Sequence, residues 1–433
     1  MHRDSESRAI SDNTGKSVNI RTDGKFDLRN LCHAEEIKLG YLEHDKAADL
    51  ILGNKGLSFI DNGRKSKLLG QTGEGAAFVK VVSNVGISSV AQIEQEKQKI
   101  EKLISLKYPP DMVFDHTRKG VIPIKNYDDH LYAFMAKNYS SAVVIAAAPA
   151  MLVFNEKTGI DKFELLEVIE HMACCGVRLM LFHPTSAVEL WEIAKKNRKI
   201  PSTSWTGTLL YRDVIINKRR TNIIADIFDD ILKILKKYNV TCDIGTVFRP
   251  ARISEALDTV HMLEMQAQEM WIQKAKDAGV FCIREGLGHI ALNKVPEFSK
   301  IIGNSTPLMP LPVSTDAAVG FDHVACCIAM TAICTHCNVG LLNPVTDIEH
   351  IGGIPSFEDI DIALKTARTV AHSFDLTRFP QKRQLDDKIS DVRQTSSTCI
   401  VSGGLFQDEN SMAGNVGVDC NRCDEGCPLK VKA

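Results

Sequence analysis

From about residue 76 the chain alternates two hydrophobic patterns. Short apolar runs rich in Val and Ile occur at Phe78–Val82, Met112–Phe114, Ala142–Ala147, Arg178–Phe182, Val240–Ile244, Val280–Ile283 and Leu308–Val313, with a weaker run at Ile200–Trp205. Such runs fit strands buried on both faces. Between them lie amphipathic helical patterns at Val90–Leu106, Lys162–Ala173, Ala187–Lys196, Asn222–Tyr238 and Ile253–Ala278. Strands alternating with helices predict a parallel sheet. About eight such units in roughly 300 residues predict an α/β protein of the (β/α)8 barrel type. Val339–Leu342 is a further strand candidate, so the count is eight or nine. A doubly wound open sheet is the alternative, but no glycine-rich dinucleotide fingerprint supports it.

Residues 1–75 are polar and weakly patterned, with short helical candidates at Ala34–Leu42 and Lys46–Leu52. They read as an N-terminal extension or cap on a barrel spanning 76–375. After about residue 375 the periodicity stops. The stretch Thr395–Gly417, rich in Ser, Gly, Asn and Asp, reads as a flexible connector to a cysteine-bearing end within 376–433.

The composition, 44% hydrophobic and 24% charged over 433 residues, fits a soluble chain with a large core. A net charge of −2 gives no global electrostatic case for a nucleic-acid partner. The absence of a long apolar run predicts no transmembrane helix and no membrane partner. Met1–Lys16 lacks the apolar core of a signal peptide, so a cytoplasmic location is expected. The 13 cysteines, an odd number, argue against a disulfide framework. Cys174, Cys175, Cys242, Cys282, Cys326 and Cys327 sit in apolar runs and read as small buried hydrophobes. Cys334 and Cys337 form a C-x2-C, but within the apolar stretch Val324–Leu342. A buried helix is the first reading there, and a redox or metal role the second.

A barrel carries its reactive groups just past the C-terminal ends of its strands. Polar residues recur there: Asn84, Asp115 and His116, His183, Thr246 and Arg249, Glu285 and His289, Thr315 and Asp316. Each alone is ordinary turn chemistry; the repetition makes the joint case. In Arg284-Glu285-Gly286-Leu287-Gly288-His289, glycines allow a sharp turn or a close approach, and the carboxylate and imidazole suit acid–base or metal chemistry. A loop with a surface histidine is the plain alternative. Glu349-His350, ahead of another turn, offers a second imidazole, so His289 and His350 are candidate ligands of an open divalent metal site.

Cys420, Cys423 and Cys427 are spaced C-x2-C-x3-C. Three thiolates at this spacing can converge on one [4Fe–4S] cluster, leaving one iron open for S-adenosylmethionine. With Pro428 the segment also matches the end of a ferredoxin-type run. A zinc site would need a fourth ligand.

These segments together resemble the phosphomethylpyrimidine synthase family of radical S-adenosylmethionine enzymes. Glu285–His289 resembles its EGPGH, Ser314–His323 its TTDIAPGYDH, Pro344–Pro355 its VTPxEHLGLP with a small insertion, and Ser83–Gly86 its NIG. The resemblance implies a (β/α)8 barrel, a homodimer, an electron donor of flavodoxin or ferredoxin type, and a C-terminal cluster on Cys420, Cys423 and Cys427. It implies a divalent metal, zinc or iron, on His289 and His350, and substrate contacts at Asn84, His183, Arg249 and Glu285. Glu285 would also assist proton transfer. The implied substrate is aminoimidazole ribonucleotide, which loses hydrogen to a radical and rearranges to the thiamine pyrimidine.

The chain departs from the family where substrate is bound. The second cysteine gap is one residue shorter than the family's C-x2-C-x4-C. The family's SRG stands here as Ser204-Trp205-Thr206, which removes a bidentate phosphate donor. Its DGLRP stands as Thr246-Val247-Phe248-Arg249-Pro250, and its substrate tyrosines are replaced by Met151 and Leu308. The leading expectation is a radical lyase making the thiamine pyrimidine. The alternatives are a paralogue with a changed product, such as 5-hydroxybenzimidazole for cobamides; a non-catalytic iron–sulfur sensor or partner; and a metal-dependent hydrolase with no cluster.

Overall fold

Eight parallel strands form the centre: β1 (Lys80–Val85), β2 (Met112–Asp115), β3 (Val144–Ala147), β4 (Leu179–Phe182), β5 (Thr241–Ile244), β6 (Cys282–Gly286), β7 (Leu308–Pro310) and β8 (Leu341–Leu342). Consecutive strands pair, and β8 pairs back onto β1. A bridge between Leu308 and Val339 closes the ring, with the Gly340 N–H donating to the Leu308 carbonyl at 2.9 Å. The architecture is the expected (β/α)8 barrel. This computed structural model describes residues 78–118 and 126–396. It also describes short strands at Arg8–Ser11, Ser17–Ile20, Leu57–Asp61, Ser66–Thr72 and Gly75–Ala76, and single positions or short stretches at 399, 404–406, 423 and 426–430. The helical candidates Ala34–Leu42 and Lys46–Leu52 lie outside the described residues, as does Cys420.

The helices form where pattern and caps agree. The outer ring is α1 (Ile93–Ser105), α2 (Leu131–Tyr139), α3 (Lys162–Cys175), α4 (Val188–Asn197), α5 (Trp205–Asn217), α6 (Phe228–Tyr238), α7 (Thr259–Asp277), α8 (Val295–Ile302), α9 (Asp322–His336) and α10 (Phe357–Arg378). In α6 the buried residues Phe228, Ile231, Leu232 and Leu235 make one stripe. Acids in its first turn and lysines in its last complement the helix dipole. Asp161 caps α3 by accepting from the N–H groups of Phe163 and Glu164, and Gly176 ends the helix at φ +116°.

Several expectations change. Ile200–Trp205 is no strand: the Ser204 hydroxyl accepts from the Gly207 N–H at 3.0 Å, so the cap wins and Trp205 opens α5. That sets the strand count at eight, with β8 as the last. The Asn222–Tyr238 pattern breaks at Ile227 into a single turn and α6. The Ile253–Ala278 pattern becomes a helix only at Thr259, because Leu257 takes φ +65° and Asp258 caps. Helix does not stop near 375: α10 runs to Arg378 and α11 (Pro380–Ser396) follows. Cys334 lies buried within α9 and Cys337 directly after it, as the plain reading expects.

Two apolar layers hold the barrel. Val82, Phe114, Ala146, Leu181, Ile283 and Met309 fill the lumen, where a hairpin formed by Leu57–Asp61 and Ser66–Thr72 adds Ile60 and Leu69. Side chains of opposite parity pack against the helices. The loop after β5 is fixed from α7. Glu264, fully buried, accepts from the N–H groups of Val247 at 2.6 Å and Phe248 at 2.8 Å and from the Thr185 hydroxyl at 2.9 Å. One turn on, Gln268 Nε2 donates to the carbonyls of Ile244 and Glu285.

Replacing Glu264 with Leu strands three buried donors. The expected loss is about 3 kcal/mol of unfolding free energy, read as a lower denaturant midpoint at unchanged m-value.

Candidate active site

The C-terminal ends of the strands surround a cavity of about 320 Å³. Asn84 from β1, His116 past β2, His183 past β4, Arg249 past β5 and Glu285 on β6 all line it. The four expected substrate contacts, Asn84, His183, Arg249 and Glu285, are therefore brought to one place. Asn84 Nδ2 donates to Asn343 Oδ1 at 2.6 Å, and the His116 ring is 3.1 Å from Asn84 Oδ1. Asn343, directly after β8, was not singled out from the sequence, although it too is a polar strand end.

Glu285 accepts from the Thr246 N–H at 3.1 Å, and Arg249 Nη1 lies 3.7 Å from Glu285 Oε2. Burial pushes the Glu285 carboxyl up, opposed by Arg249 and by the Thr246 N–H. Burial pushes His183 down to about 3, aided by Arg249 and His116, and His116 down to about 4, aided by Arg249. Both imidazoles are neutral at pH 7. The 3.8 Å approach of His183 Nε2 to Glu285 Oε2 is thus no ion pair. Gly245 is required beside them, since a Cβ there would sit 2.6 Å from His183 Nε2.

Next to this group, His289, Asp316 and His350 place three possible ligand atoms within 4.8 Å of one another. His289 Nδ1 lies 3.1 Å from the Pro250 carbonyl, which only accepts, so Nδ1 carries an N–H, and Nε2 faces Asp316 Oδ1 at 2.5 Å. His350 Nδ1 is 2.5 Å from Asp322 Oδ1 on the buried Asp322, which leaves its Nε2 open. Two imidazoles and a carboxylate, with outer partners fixing each ring, fit a divalent metal such as zinc or iron. Asp316 appears in the sequence as a polar strand end and within the quoted Ser314–His323 segment. Asp322 lies inside the quoted Ser314–His323 segment, and its signal was position without a role.

The substrate-side departures fall unevenly. Met151 and Trp205 line the cavity. Trp205 is 41% exposed, and the Arg118 guanidinium lies 4.8 Å from its ring centroid. Leu308 does not line it. Leu308 packs outward with Cys327 and Met330, and its neighbour Met309 faces the lumen beside Met151. The β-strand alternation makes that one-residue difference decisive. Of the terminal cysteines, Cys423 is exposed and Cys427 half-buried, with the Gly426 N–H turning back to the Cys423 carbonyl at 3.0 Å.

A barrel of this kind, with polar strand ends around one cavity beside a possible metal set, has the architecture of a (β/α)8 enzyme. The chain belongs to the radical SAM ThiC family, whose model matches residues 49–433. It is similar to phosphomethylpyrimidine synthase of Campylobacter jejuni, 28% identical over 321 residues and 73% of each chain. It is likewise similar to the phosphomethylpyrimidine synthases of Finegoldia magna (27%) and Clostridium perfringens (28%), each over 78% of both chains. Among solved structures, dihydropteroate synthase of Xanthomonas albilineans matches with a TM-score of 0.42 at 9% identity, over 76% of this chain and 100% of that one. That likeness carries no argument about function. Among the described residues no helix is long and apolar enough to cross a membrane.

Two outcomes are expected. Asp322→Asn weakens zinc binding about 10–100-fold, measured by calorimetry, because the His350 ring loses its orienting carboxylate. His183 is held neutral in the fold but takes a proton below about pH 6.5 once unfolded. Protein carrying His183 therefore loses stability relative to His183→Gln as pH falls from about 6.5 toward 4. The expected slope is roughly 1.4 kcal/mol per pH unit, read from paired denaturant titrations.

Proposed function

We propose that this radical enzyme is a lyase that rearranges aminoimidazole ribonucleotide to hydroxymethylpyrimidine phosphate, the thiamine pyrimidine. The observation that carries the reading is the meeting of Asn84, His183, Arg249 and Glu285 on one cavity, in a chain whose curated relatives are named phosphomethylpyrimidine synthases. Cys420, Cys423 and Cys427 would hold a [4Fe–4S] cluster, which when bound supplies one-electron reductive cleavage of S-adenosylmethionine. His289 and His350, with Asp316, would hold the divalent metal. A flavodoxin or ferredoxin would deliver the electron, and the working unit would be a cytoplasmic homodimer with no nucleic-acid or membrane partner.

In this reading Arg249 supplies the cation 3.7 Å from Glu285 and orients an anionic or electron-rich substrate group. Asn84, held by Asn343, offers a fixed amide. His183 and His116, kept neutral, bond to substrate without adding charge. Glu285 takes or returns a proton at the reacting end of the cavity.

A second reading has specific support. The wall positions held by Trp205 and Met151 suit a paralogue with a changed product, such as 5-hydroxybenzimidazole. The deciding experiment uses anaerobically reconstituted, reduced protein and follows 5′-deoxyadenosine release from S-adenosylmethionine with and without aminoimidazole ribonucleotide. Release stimulated by the ribonucleotide and abolished in Cys423→Ala is expected, with mass analysis separating pyrimidine from benzimidazole. Absence of release from protein that carries its cluster would overturn both readings and leave an iron–sulfur partner role.

A further inference from the structure

Asp243 lies in the middle of β5 with no exposure, and neither of its carboxyl oxygens has a hydrogen-bond partner. Its strand neighbours Cys242 and Ile244 pack in the layer between strands and helices. Strand alternation therefore turns Asp243 into the lumen. Its cross-strand neighbours there, Leu181 and Ile283, are part of the apolar lumen cluster. Glu285 follows two residues after Ile283, on the same face of β6. Just above, the Thr246 hydroxyl and His183 Nδ1 are also without partners.

A buried carboxylate without a donor is among the costliest groups a core can hold, so it persists as the neutral acid or for a function. The charges around it are few. Among the described residues Arg249 is the cation of the cavity lining, 3.7 Å from Glu285, and the buried Lys80 of β1 sits away from it, over the Phe78 ring. His183 and His116 are neutral, and burial pushes the thiols of Cys242 and Cys282 up, so both stay protonated. One cation can balance one carboxylate, not two. Burial and the neighbouring Glu285 both drive the Asp243 carboxyl up, whereas Glu285 has Arg249 and the Thr246 N–H to stabilise its ionised form.

We infer that Asp243 and Glu285 are coupled across the lumen face through their charges, so that only one of the two ionises at neutral pH, with Asp243 the neutral acid and Glu285 the ionised partner. The neutral Asp243 keeps a second negative charge out of the lumen, so Glu285 meets a substrate as an ionised base. That consequence rests on the role proposed above for Glu285, but the pair itself does not. Asp243 is a positioning residue: it reaches the cavity only through Glu285.

The test reads protonation directly. Infrared spectra of full-length protein labelled with 13C-aspartate should show a protonated carboxyl band at neutral pH, sensitive to D2O and lost in Asp243→Asn. In Glu285→Gln the same band should titrate away at least about one pH unit lower, because its like-charged neighbour is gone. A buried acid with a merely structural role would not respond to position 285. Asp243→Leu, which removes the unpartnered group, should fold and melt above the parent protein. A spectrum without the Asp243 band at neutral pH, or a band whose titration ignores Glu285→Gln, would overturn the inference. Neither readout needs turnover, so failure of the proposed lyase reaction leaves this result intact.

Discussion

The site depends on where one buried carboxylate spends its lone pairs. Glu264, on the inner face of α7, gathers the N–H groups of Val247 and Phe248 and the hydroxyl of Thr185. It thereby pins the loop after β5 to a rigid helix. That loop presents Arg249 to the cavity, and the carbonyl of Pro250 sets the tautomer of His289. One turn along the same helix, Gln268 bonds the carbonyls that end β5 and β6. A single helix face thus fixes the cation, the acid and one metal-type imidazole relative to one another. Such outer support is what holds reacting groups in register.

The electrostatics follow from that rigidity. Among the described residues the cavity lining holds several titratable groups and one cation, and burial keeps both of its imidazoles neutral. Neutral imidazoles stand beside an Arg249–Glu285 pair, and the second carboxyl of the lining, Glu349, is itself pushed up by burial. The possible metal set beside it is built differently: each imidazole is aimed by an outer oxygen, Pro250 for His289 and Asp322 for His350.

The barrel was legible because its strands are buried on both faces and its helices carry long apolar stripes. Seven of the eight strands coincide with apolar runs, and β8 with the extra candidate. The failures are local. Ile200–Trp205 looked like a strand because an apolar run cannot announce that Ser204 will cap a helix. The Ile227 and Leu257 breaks come from backbone conformations that side-chain periodicity does not encode. Strand-end polarity found Asn84, His183, Arg249 and Glu285, yet missed Asn343. It also gave no role to Asp322, since partnership between residues distant in sequence has no local signature. The Leu308 misplacement is a parity error: in a strand, one position decides between lumen and helix layer.

The hairpin at Leu57–Asp61 and Ser66–Thr72 has a consequence in time. Ile60 and Leu69 insert into the lumen, and Leu69 lies against Gly340, at the threshold of the last strand. The plug is thus made before any strand of the ring, but its socket is complete only when β8 has been made. Closing so long a loop is entropically unfavourable until the ring exists to reward it. The hairpin can therefore seat only after the last strand is in place, which puts its insertion late in barrel assembly.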